Sequence, residues 1–438
     1  MPEAAHGVAQ AAPASGFTGT DKPVYEDYAR CIHCGLCLNH CPTYRLWGLE
    51  ADSPRGRIRQ MLLVDQGQLE LGPSFVRHID QCLDCRACKT ACPSGVESGK
   101  LVEVARAQIE QNYRRPLLSR WIRSLVFRRL LPHPRRIAAA AALVRFYQRS
   151  GLQSLARRSG ALRLLGLERR ERLLPRIDDQ FFFSRLGQTI PAEGERRARV
   201  ALFAGCVAQV SFSALNEATI RVLAANGCEV VVPRGQFCCG ALAAHAGLRD
   251  VARQLARRNL DAFLREDFDA VVTNAAGCGS TLKEYELLFP VGDPAHEQAR
   301  AFRRRMRDVT EFLAEIGLVA PLHAVPLRVT YQDSCHLVHG QKVREAPRKL
   351  IRAVPGVELV EMPLADHCCG SAGVYNVTQP EASMTLLEEK MKHARSTGAQ
   401  AIVTANPGCI LQLRAGADIH GTGQEVLHVV ELLARAFN

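Results

Sequence analysis

Cys31-Ile32-His33-Cys34-Gly35-Leu36-Cys37-Leu38-Asn39-His40-Cys41-Pro42 returns in form as Cys82-Leu83-Asp84-Cys85-Arg86-Ala87-Cys88-Lys89-Thr90-Ala91-Cys92-Pro93. Both runs read C-x2-C-x2-C-x3-C-P. Three thiolates at this spacing wrap three corners of a [4Fe–4S] cubane, and the fourth, before proline, belongs to the other cubane. The expected ligand sets are Cys31, Cys34, Cys37 and Cys92 for one cluster, and Cys82, Cys85, Cys88 and Cys41 for the second. Zinc also takes cysteine pairs, but it needs four ligands per site and leaves the third cysteine of each run without use. His33 and His40 lie inside the first run and read as surface or packing residues, because the cysteines already suffice. Gly35 lets the backbone come close to inorganic sulfide, and each proline turns the chain away after the fourth ligand.

Between the runs, Ser53-Pro54-Arg55-Gly56-Arg57-Ile58 supplies an N-cap serine and a first-turn proline, which predicts a helix to about Gln66. The first domain therefore resembles the α-helical ferredoxin domains of fumarate reductase-type iron–sulfur subunits rather than the small β-hairpin form. Arg55, Arg57 and Arg86 stand near the runs, where a cation would raise cluster potentials.

The second half of the chain repeats itself. Arg199-Val200 matches Arg328-Val329 and Cys206 matches Cys335 at an offset of 129; Cys238-Cys239-Gly240 matches Cys368-Cys369-Gly370 at 130; Thr273, Gly277 and Cys278 match Thr404, Gly408 and Cys409 at 131. Such slow drift is what duplication with small loop changes produces. Short apolar runs, Arg199–Phe203, Glu229–Val232 and Ala270–Thr273 with counterparts Arg328–Tyr331, Glu358–Glu361 and Ala401–Thr404, read as buried strands. Helical stretches such as Leu248–Arg265 and Glu381–Arg395 alternate with them. This predicts a duplicated α/β domain of two Rossmann-like parallel-sheet halves, with the cysteines near the strand C-terminal ends where ligands gather.

Each half offers four cysteines: Cys206, Cys238, Cys239 and Cys278, then Cys335, Cys368, Cys369 and Cys409. On a turn, adjacent thiolates can bind neighbouring irons of one cluster, so these eight are candidates for a further iron–sulfur site. A vicinal disulfide and plain burial are the competing readings, but burial alone does not explain four duplicated positions. Cys228 has no partner in the other half and reads as core.

The CCG pairs resemble the cysteine-rich domains of the heterodisulfide reductase type. With the N-terminal domain, nearly the whole chain resembles the iron–sulfur subunits of bacterial glycolate oxidases. The resemblance is carried by Ser53-Pro54-Arg55-Gly56-Arg57, Cys92-Pro93-Ser94-Gly95-Val96, Asp333-Ser334-Cys335-His336-Leu337 with His339-Gly340-Gln341, Cys368-Cys369-Gly370-Ser371-Ala372-Gly373, and Asn406-Pro407-Gly408-Cys409. Relatives in lactate utilisation and anaerobic glycerol-3-phosphate oxidation share the architecture. One departure stands out: the reductase motif ends in C-x-x-C, and the first of those positions is Ala275 in one half and Asn406 in the other. An oxygen or imidazole ligand could substitute, or one half could be scaffold only. His336 and His367 flank cysteines in the second half alone, which marks it as the chemically special one.

The rest of the chain sets limits. Seventeen cysteines, an odd number in 438 residues, argue for metal ligation in a reducing compartment rather than a disulfide framework. No apolar run approaches a spanning helix, and the N-terminus lacks a basic leader, so the expected location is cytoplasmic, with peripheral contact at the inner face of the cytoplasmic membrane as the one further option. Between Arg106 and Arg185 stand 19 arginines, no lysine and five acids, a surplus of 14 that exceeds the chain's whole +12. These amphipathic stretches read as helices on the chain's own core or on partner subunits, ahead of lipid contact, with RNA last for want of a stacking platform. The expected division is a disordered tail at 1–21, a two-cluster ferredoxin-type domain at 22–110, a basic helical segment at 111–195, and the two CCG repeats at 196–322 and 323–438.

There is no phosphate-binding glycine loop after a strand and no nucleophile–base pair at motif spacing, so the chain is not expected to carry flavin or to oxidise an organic substrate alone. By resemblance, FAD-containing partner subunits oxidise glycolate to glyoxylate, and this chain carries electrons from their flavin toward a quinone-linked acceptor. The alternatives are an iron–sulfur subunit for lactate or glycerol-3-phosphate oxidation, a stand-alone thiol–disulfide reductase using the CCG site, and an iron–sulfur sensor that binds nucleic acid. No recognition motif supports the last of these.

Overall fold

Six α-helices carry the two cysteine runs in the computed structural model, which describes residues 15–19 and 21–437. They are Tyr25–Ala29, Pro42–Trp47, Pro54–Asp65, Pro73–Asp80, Ala87–Ala91 and Ser98–Asn112, and no strand precedes Thr189 among the described residues. The expected cap is present: the Ser53 hydroxyl accepts from the Gly56 N–H at 2.9 Å, and Pro54 fills the first turn. Pro42 likewise opens a helix directly after Cys41. Ile58, Met61, Val64, Phe75, Ile79, Leu101 and Ile109 form the core of this domain.

Of the tail expected at 1–21, residues 1–14 and 20 lie outside the described residues. The rest is not tail. Phe17 is buried against Phe75, the Thr18 N–H donates to Gln108, and Asp21 pairs with Arg249 and Arg253.

The basic segment forms short helices, from Leu117–Arg123 continuing into Ser124–Leu130, through Pro134–Arg149 and Leu152–Arg158, to Glu168–Arg172. Phe127, Leu131, Ile137 and Ala141 cover the core of the first CCG half, as expected of helices on the chain's own core. Most of the other large apolar residues here do not: Leu117, Leu118, Trp121, Leu143, Phe146 and Leu164 are exposed.

Among the described residues nine strands follow: β1 (Thr189–Ile190), β2 (Ala198–Leu202), β3 (Cys228–Val231), β4 (Ala270–Thr273), β5 (Met306–Asp308), β6 (Leu327–Tyr331), β7 (Val357–Glu361), β8 (Ala401–Thr404) and β9 (Glu425–His428). One sheet has the order β1-β3-β2-β4-β5 and the other β7-β6-β8-β9. All pairings are parallel except β1 on β3. The orders β3-β2-β4-β5 and β7-β6-β8-β9 are the same topology, so duplication extends to a fourth strand in each half. A matching pair of capping boxes follows β5 and β9, at Asp308 with Glu311 and at His428 with Glu431. Between Asp308 and His428 the offset has dropped to 120, because the first half carries the additional helix Pro294–Arg305.

The halves pack by exchange. Helix Ser213–Ala225 of the first lies on Val429–Arg435 of the second, and Val309–Ile316 of the first lies on Glu345–Ala353 of the second. Each contact joins the helix after a half's first strand to the helix after the other half's last strand. The relation is therefore a pseudo-two-fold, and one apolar core runs through both sheets.

Candidate functional site

All 17 cysteines are free thiols. Cys41, Cys82, Cys85 and Cys88 line one cavity together with Arg57, Arg86 and Ser98. This is the set expected from the crosswise reading of the two runs. Burial, reinforced by Cys82 and Cys41, pushes the Cys88 thiol well up, and burial beside Cys368 and Cys88 does the same to Cys85. Buried thiols of this kind lose their protons only to a cation, and converging soft sulfur donors suit iron. Backbone N–H groups already point at sulfur: Asp84 at Cys82, 3.3 Å, and Val96 at Cys92, 3.5 Å. Cys31, Cys34, Cys37 and Cys92 lie nearer the surface, Cys34 being exposed. Gly35, at φ +84°, makes the turn after Cys34.

Arginine surrounds the second set. The Arg57 guanidinium is buried, 4.0 Å from Cys41 Sγ, and is held by Asp52, Thr43 and the His78 carbonyl. Arg106 donates to the carbonyls of Cys82, Ile79 and His245 and pairs with no carboxylate among the described residues. Near the first set, Arg55 donates to the His33 carbonyl and is neutralised by Glu50 at 2.7 Å.

The eight CCG cysteines line a single cavity of about 240 Å3 between the two halves. Cys206 and Cys335 follow β2 and β6, while Cys278 and Cys409 start the helices after β4 and β8. These are the C-terminal ends of the central strands, where the chain order reverses. Cys239 Sγ is 3.2 Å from Cys278 Sγ. The N–H groups of Gly240 and Ala241 point at Cys238 and Cys239, and that of Gly370 at Cys368. Gly240 and Gly370 have φ of +83° and +89°; a Cβ at Gly370 would stand 2.5 Å from the Ser383 carbonyl oxygen. The glycine thus admits a neighbouring helix as well as the turn. This donor set also fits iron, four thiols from each side. Cys228 lies in the strand core, as expected.

The halves are unequal where a fifth cysteine was missing. Asn406 donates through Nδ2 to Cys409 Sγ at 3.4 Å and accepts the Gly277 N–H from the other half at 3.3 Å, whereas Ala275 offers nothing. His336 lines the cavity, but its Nε2 is 2.9 Å from the Asp84 carbonyl oxygen. His367 is not among the residues lining the cavity; its Nδ1 is 2.7 Å from Arg45 of the helical domain. Of the two histidines that flank cysteines in the second half, His336 therefore faces the cavity and His367 is an interdomain contact.

The sequence reading missed a buried polar junction between the second run and the CCG cavity. His245, from the first half, faces His336 across 5.3 Å, and its Nδ1 is 2.9 Å from both Asp84 Oδ2 and Glu103 Oε1. Burial works against its charge, but Asp84 and Glu103 raise it to about 9. His336 is pushed down to about 4 by burial, with His245 and Arg86 adding to it. Arg86 is held by Glu103 at 2.8 Å and by Glu284. Beside this junction Leu83, Cys85 and Ala87 pack with Cys368, Tyr375 and Leu386, so the second set touches the second CCG half.

Three family models match the chain: a 4Fe-4S dicluster domain at 27–96, the linker region of glycolate oxidase iron–sulfur subunits at 118–174, and a cysteine-rich domain at 200–283 and 329–414. The chain is 42% identical over 413 residues to a probable glycolate oxidase iron–sulfur subunit of Bacillus subtilis, with 93% of each chain covered. It is 31% identical over 417 residues to the glycolate oxidase iron–sulfur subunit of Escherichia coli, again with 93% of each covered. Lactate utilization protein A of Oceanobacillus iheyensis is 33% identical over 237 residues, 54% of this chain and 96% of that protein.

Proposed function

We propose that this chain, which belongs to the family of glycolate oxidase iron–sulfur subunits, carries electrons from the flavin of partner subunits oxidising glycolate to a quinone-linked acceptor. The observation that carries the reading is the succession of three thiol sets: one nearer the surface, one set deeper with Cys41 and Cys85 buried, and one lining the cavity between the CCG halves, the second touching the third through Cys85 and Cys368. Cys31, Cys34, Cys37 and Cys92 would hold one [4Fe–4S] cluster, and Cys82, Cys85, Cys88 and Cys41 the other. The eight CCG cysteines would hold a further iron–sulfur group. When bound, these groups supply one-electron redox chemistry. The chain supplies the spacing, the N–H groups aimed at sulfur, and the buried arginines that oppose negative charge.

The test is anaerobic purification with its partner flavoprotein, iron analysis and EPR. About eight irons per chain correspond to the helical domain alone, and about twelve or more to an additional group at the CCG site. Glycolate should reduce the partner's flavin, and the quinone-linked acceptor should then be reduced only when this chain is loaded. Full acceptor reduction without the chain's iron would refute the reading. Lactate in place of glycolate as the reductant of the partner flavin would move the complex to the lactate-utilising relatives.

A further inference from the structure

The helix Pro380–Ser396 buries a lysine beside the second CCG turn. Lys390 is 2% exposed, and its Nζ donates to the carbonyls of Leu364 at 2.6 Å and Ala365 at 3.2 Å, just ahead of Cys368-Cys369. It pairs with no carboxylate among the described residues. The acids that act on it are already engaged, Asp333 by Arg348 at 2.8 Å and Asp366 by Arg344 at 2.9 Å. An ammonium taken out of water without an anion is costly, and buried charges are ordinarily paired. Burial draws the Lys390 pKa down, and what opposes it first is Cys369 and Cys368, ahead of the two acids.

Duplication supplies the comparison. A helix lies against each CCG glycine, Ala252 meeting Gly240 in the first half and Ser383 meeting Gly370 in the second. Seven residues further along these helices stand Asn259 and Lys390. Asn259 is buried too. Its Nδ2 donates to the Cys238 carbonyl at 2.8 Å, and its Oδ1 accepts the Phe237 N–H at 3.2 Å. A neutral amide therefore suffices to tie helix to turn in the first half. Tethering accounts for the donors of Lys390 but not for its charge.

Thiolates on iron are an anion of the right place and sign. Four thiolate ligands give an iron–sulfur group net negative charge, which grows on reduction. We propose that Lys390 is the counter-cation of the CCG iron–sulfur group, set beside its second-half thiols Cys368 and Cys369 and raising its reduction potential. The proposal rests on the reading above that the CCG cysteines hold such a group. Lys390 is not among the residues lining the cavity, so it is a positioning residue and not a ligand.

The test uses the full-length, anaerobically loaded chain with its partner flavoprotein. Lys390→Met removes both charge and donors, whereas Lys390→Gln keeps donors without the charge. Potentiometric EPR titration follows the CCG signal, with the cluster of Cys31, Cys34, Cys37 and Cys92 as internal reference. Both variants should lower the CCG midpoint by about tenfold in the equilibrium constant for one-electron reduction, ~59 mV, and leave the reference where it was. An unmoved midpoint in both overturns the proposal. So does a shift in Lys390→Met that Lys390→Gln abolishes, which would assign Lys390 to holding the Leu364–Ala365 turn. Iron analysis of the wild-type chain reads the underlying assignment separately. Fewer than about twelve irons remove the CCG group and overturn both, whereas a full count with an unmoved midpoint overturns the counter-cation alone.

Discussion

Cys34 and Cys85 occupy the same place in two copies of one motif, yet the first is exposed and the second is buried against Cys368 of another domain. Near the first thiol set, Arg55 is paired with Glu50. Around the second, Arg57 and Arg106 are buried, and Arg106 reaches the Cys82 carbonyl with its charge uncompensated by any described acid. The ligand pattern is therefore common to both, while solvent access, charge and neighbours are not. Those are the quantities that tune a cluster's potential and durability.

The hardest test of this contrast removes one thiol from each copy. Cys85→Ala should cost about four irons and lower quinone-linked turnover by at least about a hundredfold, while glycolate still reduces the partner flavin. Cys34→Ser, at a solvated position with oxygen as substitute donor, should be milder; equal losses from the two would erase the asymmetry. Arg106→Gln should next lower the midpoint potential of the second cluster by roughly tens of millivolts and leave the first in place, because a buried cation favours the added negative charge of reduction. Potentiometric EPR titration reads this directly. The same change should cost about 2–4 kcal/mol in folding stability, since three carbonyls lose a charged donor.

The third test is pH. His245 binds Asp84 of the second run. Its pKa is raised in the fold, so its contribution, on the order of 3 kcal/mol, is complete below the unfolded value near 6.5 and is lost as pH rises through about 9. The melting temperature of the wild-type chain should exceed that of His245→Gln at pH 6 and converge with it above pH 9. The smallest effect is kinetic: a chelator should remove the first cluster about tenfold faster than the second, followed by the loss of its EPR signal.

Much of this was legible beforehand. Both cysteine runs, the capped helix from Pro54, the helical character of the first domain and six of the nine strands follow from spacing and periodicity. β5 and β9 escaped because the inserted helix Pro294–Arg305, directly before β5, breaks the offset by which the two would be matched. The junction of Asp84, Glu103, His245 and Glu284 left no trace in sequence, since its members come from separate elements up to 200 residues apart and follow no motif. His336 and His367 could not be told apart for a related reason: adjacency to a cysteine in sequence says nothing about which way the ring points. The basic segment was expected to bury its apolar residues on the chain itself or on partners, and local amphipathicity could not say which of its faces stays bare.

The exchanged helices between the CCG halves carry a consequence for the chain's history and its handling. Each half meets the other through the same two surfaces that a copy of itself would present, which is the arrangement of a homodimer whose protomers have been joined into one polypeptide. A fragment cut between Ile316 and Leu327 would uncover both surfaces at once. Residues 323–438 made alone should pair with themselves, rebuilding a cavity with two identical thiol sets and two copies of Asn406 where the intact chain has one.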